Sequence, residues 1–147
     1  MKRHPVLANL SRDHHRALIT AQSMKKGAPA FRGLPVLLQG KREYMIRFFN
    51  DELKKHFQEE ETVLFPFAKE MNPEMIELID ELIGDHRAME LLIHKIEIGE
   101  EVELYLDEIG RLLETHIRKE ERIFFQQLQE KLSDIQFHEL QQRFIKN

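Results

Sequence analysis

Two stretches of the chain, HFQEEETVLF (His56 to Phe65) and HIRKEERIFF (His116 to Phe125), carry the same reactive residues in the same order. His56 matches His116, Glu60 matches Glu120 and Glu61 matches Glu121, while Val63-Leu64-Phe65 falls on Ile123-Phe124-Phe125. A histidine and a glutamate four apart on a helix share a face, about 6 Å from each other along the axis. A single His-x-x-x-Glu would mean little in a chain this rich in acids, because such pairs arise by chance and are usually solvated. Here both copies lie in line with apolar positions: Phe49, Leu53 and Val63 around the first, Ile109, Leu112, Leu113 and Ile123 around the second. Burying an imidazole or a carboxylate without a partner is costly, so a compensating interaction is required.

Metal coordination supplies it. One helix can offer an imidazole to one ion and a carboxylate to bridge it to a second, and carboxylate-bridged ions typically lie about 3.5–4 Å apart. A mixed imidazole and carboxylate set without thiolate suits iron, manganese or zinc. The chain has no cysteine, which removes thiolate metal sites, disulfides and cysteine catalysis. A second repeat accompanies the first: HRAL from His15 matches HRAM from His86. The chain thus reads as two helical hairpins, each with a histidine on its first helix and His-x-x-x-Glu on its second. Other site types fail on spacing. Ferritin-like Glu-x-x-His is absent, since the residues three before His15, His56, His86 and His116 are Arg12, Leu53, Ile83 and Leu113. The zinc-protease His-Glu-x-x-His and glycine-rich phosphate loops are absent too, so nothing by motif marks a hydrolase.

The elements that must position these residues are helices, with no alternating strand pattern. Ser11 is expected to cap a first helix that stops at Gly27, and the loop GAPAFRGLP follows. A second helix is expected from about Pro35 to Phe65, with Pro66 bending or ending it. Asn72 and Pro73 start a third, which breaks near Gly99. A fourth spans roughly Glu100 to Leu132, and Ser133 with Gln136 forms a capping box for a short fifth helix. The fold expected is all-α: an up-down four-helix bundle with a short fifth C-terminal helix, in one domain over residues 1–147.

Of the 147 residues, 41% are hydrophobic and 33% charged, with a net charge of −4 and no long basic run. This balance excludes nucleic acid and an anionic membrane as expected partners. No stretch reads as a signal peptide or membrane span, and a cytoplasmic location is expected.

At these residues the sequence resembles the hemerythrin-like, or HHE cation-binding, family, over roughly residues 11 to 130. The resemblance implies a four-helix bundle around two iron ions, with manganese or zinc as alternatives. It also implies small-molecule chemistry: binding or reacting with O2, peroxide or NO, or sensing and handling iron. The ligand set alone does not choose among these, nor between a carrier and an enzyme. By the family scheme Glu60 and Glu120 bridge the ions, His15 and His56 hold one, and His86 and His116 hold the other. Oxygen carriers place a further histidine one turn after the helix-three ligand, where this chain has Glu90. Read as a seventh ligand, Glu90 would favour oxidised iron and disfavour reversible oxygen carriage. His14 points about 100° away from His15 and reads as facing solvent or the surroundings of the site, with the helix-one ligand as its alternative role. His4 and His138 read as surface residues, and His94, two turns beyond His86, as too far to bind the same centre. Asp13 and Asp85 read as acceptors behind the histidines or, more simply, as acids serving helix dipoles. Glu61 points to another helix face and is expected to be dispensable. A reading from another class is a helical interaction module whose metal is structural or absent.

Overall fold

A computed structural model describes residues 2–146. Five helices account for nearly all of it, with no strand among the described residues. Helix α1 spans Pro5–Met24. It starts earlier than the Ser11 cap predicted: His4 is extended, its Nδ1 accepts the Val6 N–H at 3.1 Å, and Pro5 takes the first helical position. Helix α2 occupies residues 38–71, beginning with the segment Leu38–Phe48 and ending with Phe65–Met71. Pro66 does not end this helix; it lies in the first turn after a π-helical segment, Glu60–Leu64. A 3-10 turn, Pro73–Met75, leads into α3, Ile76–Ile98, which Gly99 terminates at φ 90°. Helix α4 begins as Val102–Lys119, passes through a π-helical segment, Glu120–Phe124, and finishes as Phe125–Lys131. Helix α5, Asp134–Lys146, starts at the expected capping box: Ser133 N–H donates to Gln136 Oε1 and Gln136 N–H to Ser133 Oγ.

The order of buried residues along each helix sets the topology. One apolar cluster contains Leu7 and Leu10 of α1, Val63, Leu64, Phe65 and Phe67 of α2, Ile79 and Leu82 of α3, Phe124, Phe125 and Leu128 of α4, and Leu132 just beyond it. Phe137 and Leu140 of α5 close that end. The other cluster contains Ala17, Ala21 and Met24 of α1, Met45, Phe49, Leu53 and Phe57 of α2, Met89, Ile93 and Ile96 of α3, and Leu106, Ile109, Leu113 and Ile117 of α4. Helices α1 and α3 therefore run from the first cluster to the second, and α2 and α4 run back, which is up-down-up-down. Between the two apolar layers every main helix carries a buried polar residue: His14, His56, Glu60, His86, His116 and Glu120. No described helix is long and apolar enough to cross a membrane.

Candidate metal centre

Each main helix turns an imidazole into this middle layer, and a carboxylate on a neighbouring helix fixes each ring. His56 Nδ1 lies 3.1 Å from Asp13 Oδ2, and His116 Nδ1 lies 2.9 Å from Asp85 Oδ2. His14 Nδ1 is 2.6 Å from Glu121 Oε2, and His86 Nδ1 is 2.6 Å from Glu61 Oε2. The first two contacts lie within the hairpins and the last two between them, so the ring of contacts closes around the bundle. Nδ1–H donation to a carboxylate fixes the tautomer and leaves the Nε2 lone pair facing inward.

The inward atoms are consequently all acceptors. His14 Nε2 and His56 Nε2 stand 3.1 Å apart. His14 Nε2 is 2.9 Å from Glu120 Oε1, His86 Nε2 is 3.2 Å from Glu60 Oε1, and His116 Nε2 is 3.1 Å from Glu120 Oε2. Despite this closeness, both oxygens of Glu60 and of Glu120 and the Nε2 atoms of His86 and His116 make no well-formed hydrogen bond among the described residues. Buried acceptors facing one another repel unless protons or cations lie between them. Two overlapping groups each bring one atom per residue within 4.8 Å of the others: His14, His56, Glu60 and Glu120, and then Glu60, His86, His116 and Glu120. Glu60 and Glu120 belong to both.

Without a cation, protons fill the role. Burial pushes the His14 pKa down, but the Glu120 and Glu121 carboxylates outweigh it and raise it to about 9. His116 is likewise raised to about 9 against its burial, by Glu120 and Asp85. Burial, and then the His116 charge, lowers His86 to about 3. Burial and the facing Glu120 push Glu60 well above the usual carboxylate range. Glu120, despite its burial, is held well below that range, chiefly by the His116 charge beside it.

The backbone and the aromatic residues share the repeat. Glu60 and Glu120 each open a π-helical turn, and their carbonyls accept the Phe65 and Phe125 N–H groups five residues on. Phe65 stacks on His86 at 5.8 Å and Phe125 on His14 at 5.5 Å. The second helix of each hairpin, α2 or α4, thus holds a histidine of the other hairpin from two sides, by a carboxylate and by a ring.

Of the seven residues expected in the site, the structure brings together His56, Glu60, His86, His116 and Glu120. It does not bring His15 or Glu90. His15 is exposed, and His14, one position earlier, is buried in line with Leu7, Leu10, Ala17 and Ala21. The HRAL–HRAM match placed the register one residue late. The dipeptide Asp-His, at Asp13-His14 and Asp85-His86, carries the correct one. Glu90 has a side chain 42% exposed and pairs with Arg87 Nη1 at 2.6 Å, outside the cluster. Glu61, expected to be dispensable, accepts from His86 and is bridged by Arg87. Asp13 and Asp85 lie inside α1 and α3 rather than in a first turn, and they hold histidines instead of serving a dipole. The hydrogen bond from His56 keeps Asp13 below its usual pKa. Of the remaining histidines, His94 and His138 are exposed, while His4 stacks on Phe137 at 3.8 Å.

A cavity of about 310 Å3 reaches the cluster between α1 and α2, touching His14, His56 and His116, with Asp13, Glu52 and Lys55 also in its wall. A water takes up about 30 Å3 in the liquid, so a small molecule has room to approach these side chains.

Residues 5–128 match the family model described as the hemerythrin HHE cation binding domain. No curated protein and no solved structure gave a significant match.

Proposed function

The chain belongs to the hemerythrin HHE cation-binding family, and on that premise we propose that the cluster holds two iron ions that bind or react with O2, peroxide or NO. One observation carries the reading: ring nitrogens and carboxylate oxygens from four helices converge as acceptors, in two groups sharing Glu60 and Glu120. His14 and His56 would hold one ion, His86 and His116 the other, and the two carboxylates would bridge them. Nitrogen and oxygen donors without sulfur suit iron, and manganese or zinc as well. A pair of irons supplies one- or two-electron exchange with a small oxidant or radical.

The chain's own part is to orient and to exclude. Asp13, Glu61, Asp85 and Glu121 hold the four rings in the tautomer that aims Nε2 inward. Phe57, stacked on His86 at 3.8 Å, together with Phe65 and Phe125, packs apolar surface around the cluster. The cavity between α1 and α2 gives the small molecule its approach on the His14 and His56 side.

The experiment is anaerobic loading with ferrous iron, followed by O2, peroxide and NO in turn, read by visible absorption. New bands with at least one of the three, absent in Glu60→Ala and His116→Ala, are expected. A loaded chain whose spectrum answers none of them contradicts the reading and leaves a metal that is structural.

A further inference from the structure

Three of the four carboxylates that hold histidines are themselves held by a cation. Arg87 bridges Glu61 from beside His86, and Lys119 Nζ lies 3.0 Å from Asp85 Oδ2. Asp13 has no Lys or Arg hydrogen-bonded to it among the described residues, and its side chain is 60% exposed. The cation on Glu121 is different in kind. It is Arg3, from the segment ahead of α1 rather than from a bundle helix.

We infer that Arg3 is a positioning residue for His14, and that the segment ahead of α1 is a strap governing how firmly the His14 half of the centre keeps its metal. This rests on the metal-binding reading above. Arg3 Nη2 donates to Glu121 Oε1 at 3.0 Å and to the Glu121 carbonyl at 3.1 Å, and Nη1 donates to Gln129 Oε1 at 3.1 Å. Gln129 fastens the rest of the strap: its Oε1 accepts the His4 N–H at 3.0 Å, and its Nε2 donates to the Lys2 carbonyl at 3.0 Å.

From Arg3 two routes lead to His14. Through Glu121, the guanidinium occupies Oε1 while His14 Nδ1 meets Oε2, with Ser11 Oγ 2.9 Å from both oxygens. Through Phe125, the guanidinium lies 5.3 Å from the centroid of the ring on which His14 stacks. A planar fork bound on one carboxylate oxygen and the backbone stops the Glu121 side chain from swinging out to solvent. Removing it leaves Ser11 as the other hydrogen-bond donor that restrains the carboxylate His14 depends on. Arg3 belongs to no bundle helix, and its contacts are with Glu121, Phe125 and Gln129, on the His14 side of the cluster. The effect is therefore on one ion.

The test uses the full chain loaded with cobalt(II), whose visible bands report each ion as it leaves to excess chelator. Two ions per wild-type chain are the baseline. In Arg3→Gln one of the two is expected to leave about tenfold faster while the other keeps its wild-type rate, the scale at which outer partners tune ligating histidines. Arg87→Gln, acting through Glu61 on His86, should release the other ion. Glu121→Gln should speed the same ion as Arg3→Gln, and the double variant should fall well short of the sum of the two, because they share the Glu121 route. Arg3→Lys, which keeps a charge without the fork, should fall between Arg3→Gln and wild type, and it decides the matter if Arg3→Gln does not fold. Equal release of both ions, unchanged release of both, or simple addition in the double variant overturns the inference. A wild-type chain that takes up no cobalt overturns the metal reading, and the inference with it.

Discussion

His14 and His15 stand one position apart, about 100° around the helix, and only His14 faces the bundle interior. His14→Ala is expected to lose metal from one half of the centre, whereas His15→Ala should change neither metal content nor stability by more than about 0.5 kcal/mol, as for other exposed sites. Metal analysis and melting curves on the two variants check this. Equal losses would mean that α1 is turned differently. Glu61→Ala should weaken metal binding about 10–100-fold, the usual cost of removing a carboxylate behind a ligating histidine. Metal titration against a competing chelator checks it. Asp13 and Asp85 could be read as acceptors, but which carboxylate meets which histidine was out of reach of the sequence, because each of the four contacts joins residues on different helices. Spacing along one helix says nothing about which acid on the next helix a ring will meet. Glu90 was misread for a related reason: it sits one turn after His86, but Arg87 offers its carboxylate an ion pair at the surface.

Helices α4 and α1 come close together at Gly110. A Cβ there would meet the Ala21 carbonyl oxygen at 2.6 Å and Met24 Cβ at 3.3 Å, so the two backbones approach each other directly. Alanine normally gains about 1 kcal/mol over glycine inside a helix. At Gly110 the clash should win, with a net loss of about 1–3 kcal/mol from forced backbone movement. Gly84, inside α3, has nothing within 4 Å of its missing Cβ, so Gly84→Ala should instead gain about 1 kcal/mol. Chemical denaturation of both variants tests the pair, and the signs should be opposite. Most element ends were legible, because Gly99, the Ser133–Gln136 box and Pro73 act through local backbone chemistry. The start of α1 was not, since His4 is an uncommon cap and its ring is steadied by Phe137, distant in sequence. The π-helical turns at Glu60 and Glu120 were not legible either. They show in the backbone hydrogen bonds and leave no mark on the apolar spacing.

Across the whole molecule, the four-helix architecture could be read because the chain repeats itself, each hairpin presenting a histidine and then His-x-x-x-Glu to a shared middle layer. That layer makes stability depend on pH in a direction the metal should reverse. In the metal-free chain His14 and His116, raised from 6.5 to about 9, stabilise the fold fully below pH 6.5. This contribution fades as pH rises through 9. His86, lowered to about 3, contributes above pH 6.5 and loses that contribution as pH falls toward 3. Metal needs the rings neutral, so rising pH strengthens its binding. Melting temperatures of metal-free and loaded protein should therefore diverge between pH 6.5 and 9, the metal-free value falling and the loaded value holding. Parallel curves would show that the rings are not the groups the metal displaces protons from.

If Glu60 and Glu120 are shared between two ions, the iron content of the chain after anaerobic loading and removal of free metal decides it, for wild type and for Glu60→Ala and Glu120→Ala. Two irons per wild-type chain are predicted, with each variant losing both, because each carboxylate serves both groups. One iron or none in the wild-type chain, or variants that still hold two, would show that the carboxylates are not shared.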